Sequence, residues 1–302
     1  MSKTIFLTSG TGYIGLAVAK AAKAAGHDVT ALARSGAAAA RLQEFGVKPH
    51  HGDLKKPETF RDVLKQFDVV IHTAATNDRD FSSADEQAVV TIIDALKGTD
   101  KVFIYTSGVW VLGNTGDKPA TADTPANPAK LVAWRPPVEQ KVRDAAKQGV
   151  RSSVIRPGVV YGHGGGIVGQ YFAHAKQHGE AIYIGNGENR WSVVHVDDLA
   201  HLYLLAVDKA PAGSVFHATN DQPVKQSAVA EWVAQAAGVP GKVKSITPEQ
   251  ATQSWGAYVE GLLLDQYIQS PHAKRTLGWE PKAPSLAEDL KQNAREFAAQ
   301  TK

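Results

Sequence analysis

The segment Thr8-Ser9-Gly10-Thr11-Gly12-Tyr13-Ile14-Gly15 constrains the fold more than any other stretch of the chain. It closes an apolar, β-rich run over residues 3–8 and opens a helical pattern carrying Ile14, Val18, Ala21 and Ala22, which Gly26 ends. Gly10, Gly12 and Gly15 are spaced as G-x-G-x-x-G. At a strand–helix junction the three serve a tight turn, the close approach of backbone to a pyrophosphate, and tight helix–strand packing. The amino end of the helix adds unpaired N–H groups and the positive end of its dipole. The spacing alone is weak evidence; its place at the first junction of an alternating chain makes it specific. A glycine-rich turn without a ligand is the plain alternative. Gly10, Thr11, Gly12, Tyr13 and Ile14 are the residues expected around a dinucleotide diphosphate.

The alternation runs on. Residues 29–33, 47–50, 68–73, 101–106 and 150–156 read as strands, with helical stretches at 37–45, 57–66, 82–96 and, past Pro136-Pro137, up to 147. These strands are nearly continuous apolar runs, the pattern of strands buried on both faces. Strand–helix repetition with right-handed crossovers implies an α/β fold, a doubly wound parallel sheet of Rossmann type. Residues 1–162 are assigned to this dinucleotide-binding domain. Residues 163–302 are looser and glycine-punctuated, and read mainly as a smaller C-terminal substrate-binding lobe. Helices are expected near 198–207, 227–237 and 285–300, and a segment at 215–218 is expected to return to the first domain's core.

Composition narrows the function classes. The 302 residues hold 33 Lys plus Arg against 30 Asp plus Glu, a net +3 too small and too evenly spread for a nucleic-acid footprint. There is no cysteine, which excludes disulfides, thiolate metal sites and a cysteine nucleophile. No window approaches the ~20 apolar residues of a membrane span. A cytoplasmic protein is expected, with a small-molecule substrate and neither nucleic acid nor membrane as partner; a homodimer is the one assembly left open.

The end of the second strand normally reads the adenosine ribose. Nineteen residues after Gly15 stands Arg34, followed by Ser35, with no carboxylate at the tip. A carboxylate would bind a 2′-hydroxyl and repel a 2′-phosphate, whereas Arg34 and Ser35 offer donors to that phosphate. NADP is therefore preferred over NAD. Asp53-Leu54 either meets the adenine amino group or is a turn whose aspartate caps the stretch starting at Pro57.

These residues resemble the extended and atypical short-chain dehydrogenase/reductases, the NAD-dependent epimerase/dehydratase family. The resemblance covers almost the whole chain and rests on TSGTGYIG (8–15), GDL (52–54), HTAA (72–75), YTSG (105–108), RPGVVYG (156–162), VHVDDLA (194–200) and LGWEP (277–281). It implies adenine contacts at Asp53 and Leu54, and a cofactor-lining loop at His72, Thr73, Ala74 and Ala75. It further implies an active-site serine at Thr106-Ser107 and a nicotinamide-side stretch at Pro157, Gly158, Val159 and Val160.

Two departures stand out. The family turn usually carries a glycine where this chain has Ser9. More seriously, members usually place Tyr-x-x-x-Lys one helical turn apart, the ammonium lowering the phenol's pKa and holding the nicotinamide ribose. None of the eight tyrosines here has Lys four residues on. Taking Glu139 as the glutamate that often follows the pair puts Leu131 at the tyrosine position and Arg135 at the lysine position. Arg135 can hold a ribose hydroxyl, but Leu131 donates no proton. Ser107 either binds a substrate carbonyl or bonds its own backbone. Losing a general acid worth ~10²–10⁴ slows carbonyl reduction and favours conjugated or iminium substrates.

Trp110, Trp134, Tyr161, His163 and Trp191 fall in segments expected to border the cleft, as a substrate lining or simply as packing at the lobe interface. Arg190 is a candidate for a substrate anion such as a nucleotide-sugar diphosphate, or a surface arginine. His195, Asp197 and Asp198 read as a turn and helix cap, and no metal site is expected. Three functions compete: an NADP(H)-dependent oxidoreductase for a small carbonyl, conjugated or imine compound; a sugar-nucleotide epimerase or dehydratase; and a non-catalytic NADP-binding sensor or regulator.

Overall fold

The computed structural model describes residues 1–76, 78 and 80–300. The first half runs β1 (Thr4–Leu7), α1 (Tyr13–Ala24), β2 (Asp28–Ala33), α2 (Gly36–Glu44), β3 (Lys48–His51), β4 (Val69–His72), α3 (Phe81–Leu96), β5 (Val102–Thr106), α4 (Arg135–Asp144) and β6 (Arg151–Pro157). The second half continues with β7 (Val159–Tyr161), α5 (Gly166–His178), β8 (Ala181–Ile184), β9 (Arg190–Trp191), β10 (Val193–His195), α6 (Val196–Lys209) and β11 (Ser214–Ala218). It ends with β12 (Val224–Lys225), α7 (Gln226–Ala236), β13 (Val243–Ile246), α8 (Pro248–Trp255), α9 (Tyr258–Leu262), α10 (Pro271–Leu277), α11 (Leu286–Gln292) and α12 (Ala294–Gln300).

Seven strands form one parallel sheet in the order β3-β2-β1-β4-β5-β6-β11. Alternate residues of each strand face opposite layers. Ile5, Leu7, Ile71 and Ile104 pack on one face against α1, α2 and α6, through residues such as Val18, Leu42 and Tyr203. Phe6, Val70, Phe103 and Tyr105 pack on the other against α3 and α4, through Val89, Ile92, Val138 and Val142. Chain order reverses between β1 and β4, so the crevice past their carboxyl ends is where a doubly wound sheet binds its ligand. The glycine turn and residues 73–76 border it.

The chain after residue 162 divides between two layers. The α6 helix and β11 join the large sheet, β11 pairing with β6 from Ser214 opposite Ser153 to Ala218 opposite Pro157. Most of the remainder surrounds a second core that includes Tyr161, Phe172, Trp191, Val233 and Leu262.

Several element boundaries differ from the sequence reading. Residues 57–66 form two short 3₁₀ turns rather than a helix. The α4 helix starts at Arg135, before the two prolines rather than after them. Pro136 and Pro137 fall in its first turn, where a missing N–H costs nothing because it would have no intrahelical acceptor. The expected closing helix is two, broken at Asn293 with φ −110° and ψ 22°.

Candidate active site

The glycine turn owes its shape to space, not to unusual dihedrals: Gly10, Gly12 and Gly15 all lie outside the left-handed region. A Cβ on Gly15 would lie 1.8 Å from the Ser9 carbonyl oxygen, and one on Gly10 would meet Leu42 and Ala31 at 2.6 and 2.7 Å. Gly10 is thus a packing glycine beneath α2 rather than the tight-turn residue. Gly12 is exposed and caps α1 with no side-chain bond to the helix's first N–H groups. A Cβ there would meet Ser9 Oγ at 3.0 Å and nothing else within 4 Å. The first turn of α1 therefore presents unpaired donors to the crevice. On the β4 side, Thr8 Oγ1 accepts from the N–H groups of Thr73 and Ala74, both at 3.1 Å. Thr73 in turn donates to the Ser9 carbonyl at 3.0 Å. The two loops facing the crevice are stitched together.

At the tip of β2, Arg34 is exposed and makes no hydrogen bond or ion pair among the described residues. Ser35 Oγ caps α2 by accepting from Ala38 N–H at 3.2 Å, which leaves its own O–H free to donate. Asp53 Oδ1 accepts from the Lys55 N–H at 3.0 Å, so this aspartate does close a turn, while Leu54 is buried in the core.

Below the crevice, between the sheet and the second core, lies a cavity of about 540 Å³. Ile14, Ala75, Ser107, Trp110, Leu131, Arg135, residues 157–160, Ile167 and Tyr258 border it. Its wall is mostly apolar. Ser107 is held by its backbone, whose N–H donates to the Ile155 carbonyl at 2.8 Å, but its buried Oγ has no partner among the described residues. Arg135 Nη1 donates to the Thr106 carbonyl at 3.0 Å and to the Tyr105 hydroxyl at 3.1 Å, and its guanidinium lies over the Trp134 ring at 4.5 Å. Leu131 stands one turn before it, its N–H bonded to Glu260. Thr106 Oγ1 shares a 2.5 Å hydrogen bond with the Tyr203 hydroxyl, behind the wall. Gly158 is confined by the Ser192 carbonyl, 2.3 Å from where a Cβ would be.

Four of the five expected lining aromatics are elsewhere. Trp110 borders the cavity, edge-on to Tyr258. Trp191 is core, its Nε1 donating to the Leu262 carbonyl, and the Tyr161 hydroxyl donates to the Pro284 carbonyl. Trp134 stands behind the wall, against Phe81 and Arg135. His163 faces outward between Asp197 (3.0 Å) and Glu296 (3.3 Å). Partial burial of its ring opposes protonation, but the two carboxylates outweigh this and raise its pKa. The stability this adds is present below the ordinary histidine pKa and is lost as pH rises through the raised value.

The fold brings His163, His195 and Asp197 within ligand distance of one another, which their sequence spacing did not indicate. His195 Nδ1 is nonetheless occupied, accepting from the Asp197 N–H as the cap of α6. Asp198 accepts from the Lys282 and Ala283 N–H groups. Arg190 is paired within the chain: Asp265 binds it through two hydrogen bonds of 2.8 Å, and Asp117 lies 3.2 Å away.

The model of the NAD dependent epimerase/dehydratase family matches residues 5–220. The chain belongs to this family. It is 33% identical to an uncharacterised protein of Schizosaccharomyces pombe over 96% of this chain and 99% of that one. A Stigmatella aurantiaca relative, 4-hydroxy-2-methyl-3-oxo-4-farnesyl-3,4-dihydroquinoline-1-oxide ketoreductase, is 27% identical over 82% of this chain and 77% of that one. Among solved structures, the UDP-glucose 4-epimerase of Thermotoga maritima superposes with a TM-score of 0.84 at 20% identity, covering 99% and 100% of the two chains, which shows the shared fold.

The residues present fit the family's dinucleotide. A Cβ-free turn, unpaired donors on α1 and the unpartnered Ser107 hydroxyl all face the same crevice and cavity. Phe81, Val132, Ile167 and Tyr258 join the cavity wall although the sequence reading passed over them. An apolar residue lining a cavity has the same local pattern as one lining a core.

Proposed function

We propose that this chain is an NADP(H)-dependent oxidoreductase that reduces a small, largely apolar carbonyl, conjugated or imine compound. The observation that carries this reading is the buried, unpartnered Ser107 hydroxyl beside Arg135 in a mostly apolar cavity. A buried donor without a partner is costly, and a substrate oxygen in the cavity relieves that cost. The first turn of α1, residues 73–75 and Arg135 would hold the dinucleotide, whose reduced nicotinamide supplies the hydride.

The chain's own part is positioning and charge stabilisation. Ser107 donates to the substrate oxygen or nitrogen. Arg135 presents a fixed positive charge toward the electron density that hydride addition creates there. Arginine does not release its proton at working pH, Leu131 has none to give, and Tyr161 and His163 are engaged away from the cavity, so water or the substrate itself supplies the proton. Substrates that delocalise the new charge therefore suit this site best. The substrate for which the Stigmatella relative is named, farnesyl-bearing and carrying a ketone, is of the apolar carbonyl class.

A sugar nucleotide is disfavoured because Arg190, the arginine considered for its diphosphate, is neutralised by Asp265 and Asp117. The deciding experiment follows NADPH oxidation against a panel of ketones, enones, quinones and imines. Turnover is expected with apolar conjugated members; flat traces across the panel, with measurable NADPH binding, would establish the sensor reading instead.

Ser107→Ala is expected to lower kcat about 10²-fold, the scale of a lost oxyanion donor. Its melting temperature should stay near that of the parent, since the hydroxyl bonds nothing among the described residues. Unchanged kinetics would remove Ser107 from the site. Arg34→Asp is expected to weaken NADPH about 10- to 100-fold, the worth of one charge-assisted hydrogen bond, while NADH changes little. Titration with both nucleotides checks this, and equal weakening would show that Arg34 does not read the phosphate.

A further inference from the structure

Asp85 lies on the inner face of α3, 3% exposed, where the neighbouring Ala84, Ala88 and Val89 are apolar. A carboxylate here is costly unless each oxygen is bonded, and each is. Oδ2 accepts from the Tyr105 hydroxyl at 2.8 Å, and Oδ1 lies 3.2 Å from His72 Nε2. Both partners are themselves buried, with rings stacked at 5.7 Å and 14°. Burial pushes the Tyr105 phenol well above its ordinary pKa, so it remains a donor to Asp85.

From this centre two arms reach the two halves of the site. The Tyr105 oxygen accepts from Arg135 Nη1 at the cavity wall. In the other direction His72 Nδ1 lies 2.8 Å from Thr8 Oγ1, the atom that accepts from the N–H groups of Thr73 and Ala74 beside the glycine turn. Only one set of proton positions gives every group a partner: His72 carries its proton on Nε2 and donates to Asp85, and the Thr8 hydroxyl donates to Nδ1. All donors then point inward along both arms, toward one carboxylate.

We propose that Asp85 is the positioning residue of this active site. Through Tyr105 it fixes the guanidinium of Arg135 against the substrate cavity. Through His72 and Thr8 it fixes residues 73–75 against the glycine turn. One buried charge thus sets both the cationic wall that faces the substrate and the loop that faces the dinucleotide. The Tyr105 arm rests on the reductase reading above; the His72 arm rests only on dinucleotide binding.

The two arms are separable by substitution. Tyr105→Phe removes one hydroxyl and leaves the His72 arm intact. It is expected to lower kcat about tenfold, the effect of a single hydrogen bond, and to move the NADPH Kd less than His72→Phe does. His72→Phe is expected to weaken NADPH about tenfold in a direct titration. Losses of kcat and Kd that merely track each variant's melting temperature would show a packing role and overturn the proposal. If the parent protein turns over no substrate in the panel, the reductase reading falls while the Kd of His72→Phe still decides the second arm; parental affinity there overturns it. Should either variant fail to fold, ¹⁵N-histidine spectra of the parent decide instead. A neutral Nε2–H tautomer for His72 is expected, and the Nδ1–H form would break the network as assigned.

Discussion

Gly15→Ala is expected to abolish dinucleotide binding. The added Cβ would lie 1.8 Å from the Ser9 carbonyl oxygen and 2.9 Å from Thr73 Oγ1, and the first of these is backbone that cannot rotate away. Relief requires α1 to withdraw from the turn or residues 9–12 to shift, and either movement displaces the unpaired N–H groups of the helix. Overpacking of this kind costs about 1–3 kcal/mol in fold stability, so the variant should fold with a lowered melting temperature. The larger effect is on the ligand. The parent protein at a hundred times Kd should gain about 2.7 kcal/mol from bound nucleotide, seen as a rise in melting temperature. Gly15→Ala should show no such rise with either NADPH or NADH. Gly36→Ala is the matched control, because no described residue lies within 4 Å of a Cβ there. A normal nucleotide-dependent rise in Gly15→Ala would mean that the amino end of α1 does not hold the diphosphate.

The glycines of the turn show what the sequence discloses and what it withholds. Spacing located the turn, since an apolar, β-rich run before it and a 3.6-period pattern after it leave one junction where residues 8–15 can lie. The doubly wound sheet followed from the same logic, because uninterrupted apolar strands separated by helices have few other ways to bury both faces. What each glycine does was not legible: Gly10 is required by Leu42 and Ala31, which approach only after β2 and α2 have folded over it. The same holds for charge. Arg190 is either an anion-binding candidate or a surface arginine in sequence and a salt-bridged residue in the fold, because its partner Asp265 is 75 residues away. Asp85 carries no signal of its own within the helical stretch at 82–96, and only the packing of α3 brings it onto Tyr105 and His72. The aromatic residues divide for a related reason. Trp110 and Trp191 are both lining candidates in sequence, but of the two Trp110 borders the cavity while Trp191 is buried in the second core.

Glu139→Ala is expected to cost about 3–5 kcal/mol, the usual result of leaving one member of a buried ion pair behind. Glu139 is 2% and Arg156 6% exposed. The Arg156 Nε donates to Oε1 at 3.0 Å and to Oε2 at 3.2 Å, and Nη2 also donates to Oε2. The pair joins the middle of α4 to β6, so its loss strands a guanidinium inside the protein with no carboxylate to receive it. Denaturant unfolding should record the loss as a lower midpoint. The double variant Glu139→Leu/Arg156→Met should lie closer to the parent than Glu139→Ala, because removing both charges also removes the cost of burying them. The comparison bears on function because α4 begins at Arg135. A helix held on β6 by apolar packing alone still brings Arg135 to Tyr105 and Thr106, so the double variant should keep most of its turnover. A double variant as unstable as Glu139→Ala would show instead that the ion pair's geometry, and not only its neutrality, holds α4 in place.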